Sequence, residues 1–436
     1  MEVKILDDKK IAVIIHMTDE KFFQETLESL QTLEVPENFF VDVLPVQGAE
    51  KFRAYNFAMN QSDAKYKIYL DENVSLLRKN ILSEVIKIFQ SDDKIGIVGT
   101  SGAIQLSTHG ICLTSVKRCG KFFIGAEKKL QDFGGDKKIF QEVEAVDNFF
   151  LATQYDFDWH EDLKNFSVTA QCLKFKREGF KSVVIKQKNP YAWIRKNNFS
   201  ADEEAQKIFL EEYKDFFPLV SVIIPTFNRP KYFQLALESV LKQTYRNFEI
   251  FISDNSTDDG TEKLMQNYLE KYSNIKYFRH KNFTANDNWS FARKYNNPDA
   301  EFVNWLMDDD LFYPTKLEKM VEIFRNNPGV SLVTSVRDTI DDEGNITGRL
   351  WIDKRPELLN HDGIVKGELA GRLMFVTGLN YIGEPTTALI RKKCLRGNDL
   401  CWTEDEEGFF ALVDISTWLQ VLSQGDLYFF TKEPLS

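Results

Sequence analysis

Residues 220–242 read VSVIIPTFNRPKYFQLALESVLK. A short β-branched run, Val220–Ile224, suits a buried parallel strand. The polar turn Pro225-Thr-Phe-Asn-Arg-Pro230 follows, with a proline placed to open a helix. Phe233, Leu237, Val240 and Leu241 then recur at helical spacing and form one apolar face. Residues 11–33, IAVIIHMTDEKFFQETLESLQTL, carry the same order of strand, turn and helix and share the pattern F-Q-x-x-L-E-S. Further on, 67–89 (KIYLDENVSLLRKNILSEVIKIF) parallels 302–324 (FVNWLMDDDLFYPTKLEKMVEIF). Each is an apolar strand that ends in acidic residues and enters a helix. Strands at Ile95–Gly99 and Val330–Thr334 follow in turn. Strand–helix–strand alternation at this spacing predicts parallel βαβ units, and two matched segments in the same order predict an internal duplication. The expected fold is therefore α/β, two Rossmann-like domains with mostly parallel central sheets. The first spans 1–200, a charged linker helix covers 201–217, and the second spans 218–436.

Composition narrows the function. The chain has 436 residues, 43% hydrophobic and 28% charged, with a formal net charge of −11. That excludes bulk disorder and argues against nucleic acid as the main partner, which needs clustered Lys and Arg. Five cysteines, Cys112, Cys119, Cys172, Cys394 and Cys401, fit no zinc spacing and predict free thiols in a reducing compartment. No basic-then-apolar leader and no run of about eighteen apolar residues is visible, so the expectation is a cytoplasmic protein, peripheral at most to a membrane face. The closing segment, Tyr428–Ser436, reads as a strand running into a loop, so the natural chain is expected to extend further. The sequence contains neither a G-x-x-x-x-G-K-[ST] loop nor a strand-linked G-x-G-x-x-G, which argues against an ATPase and a dinucleotide oxidoreductase. The five histidines lack metal-ligand spacing.

In open parallel sheets, ligands bind beyond the carboxyl ends of the strands. Three polar motifs stand there in the second half. The first is the turn with Thr226 and Asn228, whose helix offers free amides to an anion. The second is Ser253-Asp-Asn-Ser-Thr-Asp-Asp-Gly260, in which Asp254 ends a strand and can accept from the N–H of a planar base. The third is Asp308-Asp309-Asp310. Consecutive carboxylates raise one another's pKa, and a hard cation such as Mn²⁺ or Mg²⁺ relieves that repulsion and neutralises a diphosphate. Gly383-Glu384-Pro-Thr386 before a strand suggests a wall for sugar and acceptor. Asn286 and Asn288 are within reach of a nucleotide or serve turns. For each motif the plain alternative is a capped turn or a solvated acidic loop.

Taken together, V-S-V-I-I-P-T-F-N-R, I-S-D-N-S-T-D-D-G-T and L-M-D-D-D-L-F-Y-P resemble the family-2 glycosyltransferases of GT-A fold. The resemblance covers about 218–436. It implies an inverting transfer from a UDP-sugar, with Thr226 and Asn228 at the nucleotide, Asp254 at the uracil, Asp308 beside the donor, and Asp309 with Asp310 on the metal. Met307 stands where the family's first acidic residue usually falls. The family's base lies in E-D-x-x-x-W, and Val413-Asp414-Ile-Ser-Thr-Trp418 aligns with it, which makes Asp414 the candidate base and Trp418 a core residue. A carboxylate opposite the leaving group is what a hydroxyl nucleophile needs.

The first half lacks this set. Gln47-Gly-Ala49 replaces the Asp254 motif, Asp71-Glu-Asn73 replaces the acidic triplet, and Val168 falls opposite Asp414. Asp147, Asp156, Asp158, Glu161 and Asp162 lie nearby as substitutes. Phe149, Phe150, Tyr155, Phe157 and Trp159 are read as core. The first domain is thus expected to be a degenerate copy. Expected partners are a UDP-sugar and a glycan, lipid-linked or protein acceptor, with a homo-oligomer as a further expectation. Two other classes stay open: a non-catalytic nucleotide-sugar or glycan-binding scaffold, and a nucleotidyltransferase, which would release pyrophosphate and has no use for Asp414.

Overall fold

The computed structural model describes residues 5–48, 50–135, 139–196, 202–350, 361–395 and 413–436. Cys401 lies outside them. The chain divides into two compact units, Met1–Tyr213 and Lys214–Ser436.

In the second unit, strand Leu219–Thr226 lies between Phe248–Asp254 and Ala300–Trp305, parallel to both, and Ile275–Arg279 adds a parallel outer strand. On the other side the sheet continues through Leu389–Arg391, Val330–Ile340, Asp426–Pro434 and Gly363–Val365. Leu389–Arg391 is antiparallel to both neighbours, and Val330–Ile340 is parallel to Asp426–Pro434. Val220, Val222, Ile223 and Ile224 are fully buried, as a strand covered on both faces requires. Helix Pro230–Leu241 starts on its proline and buries Phe233, Ala236, Leu237 and Val240. The core also holds Phe251, Trp305, Leu332, Ile390, Trp418 and Leu427.

The main sheet of the first unit runs Phe40–Val46, Asp7–His16, Ala64–Asp71, Phe150–Thr153, Ile95–Gly99, Lys181–Ile185, Phe140–Val143. Strand for strand, and with the same sequence of parallel and antiparallel neighbours, this repeats the second sheet inward from Phe248–Asp254. The duplication read from the sequence is a duplication of topology. Among the described residues, the first unit has no strand matching Ile275–Arg279; helix Lys51–Gln61 leads directly from the second strand to the third.

The expected linker is divided between the units. Helix Glu203–Glu212 falls in the first, where the fully buried Phe209 ring stacks on Phe166 at 5.4 Å. An apolar face on a charged helix is enough to dock it. Phe149, Phe150 and Trp159 are buried, as expected of core aromatics, and Cys112, Cys119, Cys172 and Cys394 are buried free thiols. No described helix is long and apolar enough to cross a membrane.

Candidate active site

Three strand ends of the second unit meet at one edge. Thr226 pairs with Asp254 in the sheet register, and its hydroxyl donates to Asp308 Oδ2 at 2.8 Å. Thr226 thus joins the second motif to the third. Asn228 sits in the left-handed region, at φ 52°, a conformation asparagine tolerates better than most residues. Its amide clasps Thr257: Nδ2 donates to the hydroxyl at 2.9 Å, and Oδ1 accepts from the Thr257 N–H at 2.8 Å. Asn288 is buried and binds the Ser253 hydroxyl and carbonyl; it fastens the strand end, whereas Asn286 is exposed.

Asp254 closes its strand at the sheet edge. It is fully buried, and both carboxylate oxygens are engaged by the protein: Oδ1 accepts from Ser256 N–H at 2.7 Å and Oδ2 from the Tyr277 hydroxyl at 2.6 Å. Burial and the Asp254 carboxylate together push the Tyr277 phenol well up. A carboxylate at a strand end, flanked by amides of its own turn, is satisfied locally before any ligand arrives. The adjacent Asn255 keeps a buried Oδ1 without a hydrogen-bond partner among the described residues.

The acidic triplet spreads its three carboxylates over different partners. Asp308 turns inward to Thr226 and to the Phe227 N–H at 3.4 Å. Asp309, half-exposed, meets Arg229 Nη1 at 2.8 Å. Asp310 accepts from the Thr386 hydroxyl. Successive side chains leave the backbone in different directions and each finds its own donor, while the Asp309 charge still acts on both neighbours. Among the described residues, no three His, Cys, Asp or Glu side chains gather as a cation cage. Burial raises the Asp308 carboxyl, against the Thr226 hydroxyl, and burial also raises Asp310, against the Thr386 hydroxyl and with the charges of Asp309 and Glu384. Behind Asp310, Lys316 is fully buried, donates to Thr387 O at 3.0 Å, and is brought down to about 7 by burial.

Asp309 and Asp310 open onto a groove of about 550 Å³ shared with Arg229, Tyr232, Arg337 and Glu384. It adjoins a smaller cavity of about 210 Å³ walled by Phe312, Tyr313, Ile340 and Thr387. The larger volume suits a small-molecule ligand. Glu384 lines the groove and is tied to Arg337: Nε to Oε2 is 2.8 Å and Nη2 to Oε1 is 3.2 Å. Arg337 escaped the sequence reading because strand Val330–Ile340 runs six residues past its apolar start. Arg229 lay inside the first motif without a distinguishing signal.

Asp414 opens the first turn of helix Val413–Leu422. One turn on, the buried Trp418 indole donates to Gly383 O at 3.0 Å, which brings the helix start to Glu384. Burial, with the Glu384 charge added, pushes the Asp414 carboxyl up to about 6. The expected site residues thus form two layers. Asp309, Asp310 and Glu384 line the groove and Asp414 lies within reach of the Glu384 charge, while Thr226, Asn228, Asp254 and Asp308 brace the strand ends beneath.

The first unit uses its equivalents internally. Lys51 Nζ meets Asp71 at 3.0 Å, and Glu72 accepts from the Asp19 N–H at 2.9 Å. Burial favours the neutral Asp71 acid, but Lys51 outweighs it and holds the carboxyl below its ordinary range. Val168 is buried, Asp147 pairs with the buried Arg118, and Asp156 pairs with Lys67.

Comparison with known proteins agrees with the division into units. The model described as "Glycosyltransferase like family" matches residues 12–213, and that of "Glycosyl transferase family 2" matches 221–394. An uncharacterized glycosyltransferase of Rickettsia bellii (strain RML369-C) is 36% identical over 115 residues, which are 26% of this chain and 16% of that protein. The GalNAc(5)-diNAcBac-PP-undecaprenol beta-1,3-glucosyltransferase of Campylobacter jejuni is 32% identical over 130 residues, 30% of this chain and 41% of that protein. The matched regions thus span less than half the length of these curated relatives. The solved structure of S. aureus TarS 1-349 aligns with a TM-score of 0.37 at 18% identity, over 50% of this chain and 59% of that one. The chain belongs to the glycosyltransferases, its first unit in a glycosyltransferase-like family and its second in glycosyl transferase family 2.

Proposed function

We propose that the second unit transfers a sugar from a UDP-sugar to a hydroxyl of a glycan, lipid-linked or protein acceptor, with inversion and with help from a divalent cation. The observation that carries this reading is that Asp309, Asp310 and Glu384 share one groove while the Glu384 charge acts on Asp414. A carboxylate of pKa about 6 is mostly ionised at neutral pH, yet basic enough to take a proton. Asp414 would accept the acceptor's hydroxyl proton as that oxygen bonds to the anomeric carbon; the bond from that carbon to the diphosphate breaks, and UDP departs with its electron pair. Attack from the face opposite the leaving group inverts the centre.

The cation fits as a shared ion, not a caged one. Asp309 and Asp310 each offer the groove a hard oxygen donor, and a Mg²⁺-like ion takes one or two carboxylates and completes its shell with water and phosphate oxygens. Bound there, it would neutralise the departing diphosphate. Arg229, now beside Asp309, would lie against the same charge. Asp254, Asn228 and Asp308 would hold the strand-end loops in shape, and Asn255 Oδ1 is free to accept a base N–H. The lipid-linked acceptor is suggested by the name of the Campylobacter relative. Buried free thiols support the cytoplasmic placement, and a homo-oligomer is part of the same reading. The first unit, its strand-end acids engaged by Lys51 and backbone amides, would be a non-catalytic copy.

Asp414→Asn should abolish UDP release from a mixture of UDP-glucose, UDP-galactose and their N-acetylated forms with Mn²⁺, while calorimetric UDP binding persists. Turnover retained in that variant removes the base assignment. Pyrophosphate as product would point to a nucleotidyltransferase, and donor binding without turnover in the native chain would point to a scaffold.

A further inference from the structure

Glu384 is built into its place from three sides. Its carboxylate takes both arms of Arg337, a side chain 16% exposed, in a bidentate pair, the geometry that gives an arginine–carboxylate contact its direction. The guanidinium rests where Gly383 has no side chain. A Cβ there would lie 2.4 Å from Arg337 Nη1 and 2.8 Å from the Thr387 hydroxyl, and Gly383 holds φ +102°. The Gly383 backbone is pinned as well: Asn380 Oδ1 accepts its N–H at 3.0 Å, and its carbonyl receives both Asn380 Nδ2 and the Trp418 indole, each at 3.0 Å. Since Trp418 lies one helical turn from Asp414 on the same face, the segment that fixes Glu384 also fixes the start of the Asp414 helix. Among the described residues, Glu384 is the charged group that acts on Asp414, with the Arg337 cation behind it.

We propose that Arg337 is a positioning residue for the transfer step: seated on Gly383, it holds the Glu384 carboxylate beside Asp414, so that the base meets the acceptor proton in a field of fixed strength. Glu384 acts on Asp414 through space and needs no bond to the reacting atoms. This rests on the reading of Asp414 as the base.

The test is the pH profile of UDP release by the full chain from the four UDP-sugars with Mn²⁺, for the native protein, Glu384→Gln and Arg337→Gln. Thermal unfolding would verify that each variant is folded. Glu384→Gln removes the repulsion, and the acidic limb should move down by about half a pH unit or more. Arg337→Gln leaves the Glu384 charge uncompensated, and the limb should move up by a similar amount, with a larger loss in kcat than in donor KM. Opposite displacements support the proposal. Two folded variants with lowered rates and an unmoved limb overturn it and leave Asp414 as the base. An Asp414→Asn enzyme as active as the native one overturns the underlying reading instead.

Discussion

Asp308 and Asp309 are neighbours with opposite surroundings, and substitution should separate their roles. Asp308 is largely buried and accepts from Thr226 and Phe227. Asp308→Ala strands those donors and should cost about 1–3 kcal/mol, read by chemical denaturation. Asp309 is half-exposed and paired to an equally exposed arginine, so Asp309→Asn should leave stability within about 0.5 kcal/mol. It should, however, reduce metal-stimulated UDP release by about 10²-fold if the residue supports the diphosphate. Asp414 makes a further distinction. Its folded pKa, about 6, exceeds the ordinary 3.8, so between those values the folded state binds more protons than the unfolded one. Stability from this group is therefore present below about pH 4 and is lost as pH rises through 6. Asp414→Asn should raise unfolding stability at pH 7.5 by about 1 kcal/mol after allowance for solvent screening, with no gain at pH 4. An enzyme that becomes more stable as it loses turnover is what a base held in an unfavourable place predicts.

At the scale of elements, the site depends on how loops and helices are fastened to strand ends. Asn228 ties the loop after the first strand to the loop after the second through Thr257. Asn228→Ala loses both bonds in a left-handed conformation and should cost about 1–2 kcal/mol, whereas Asn228→Gly should recover the backbone part of the loss. Trp418→Phe keeps the ring in the core but removes the N–H that reaches Gly383 O. It should lower kcat more than it changes donor KM, because it frees the Asp414 helix and the Gly383 turn while removing no side chain of the groove; an unchanged kcat would show that this hydrogen bond serves stability alone.

Over the whole molecule, two sheets of the same order end in different residues. Among the described residues the first has no outer strand beside the Asp254 position, and its strand-end acids are bound to Lys51, Thr18 and Asp19. Full-length Asp71→Asn should thus release UDP at the native rate per folded molecule, although it destabilises the first unit by leaving Lys51 unpaired. A loss of rate in a folded variant would give the first unit a share in the reaction. The duplication was legible because strand, turn and helix leave local periodicities, and those survive in both copies. The positions of Thr226, Asp309 and Asp310 at one edge were legible for a related reason: carboxyl ends of parallel strands face the same way, whereas Glu384 was read from a turn before a strand and Asp414 from the family's base motif. What each carboxylate touches was not legible. Asp254 meets Tyr277, Asp310 meets Thr386, and Glu384 meets Arg337, partners 23, 76 and 47 residues away. Sequence by itself determined the architecture and the edge where chemistry can occur, because backbone hydrogen bonding and apolar spacing act over short range. Only the tertiary structure decided which acids are engaged, which face open space and which is held at about 6, because burial and charge pairing depend on neighbours that the chain brings together from far apart.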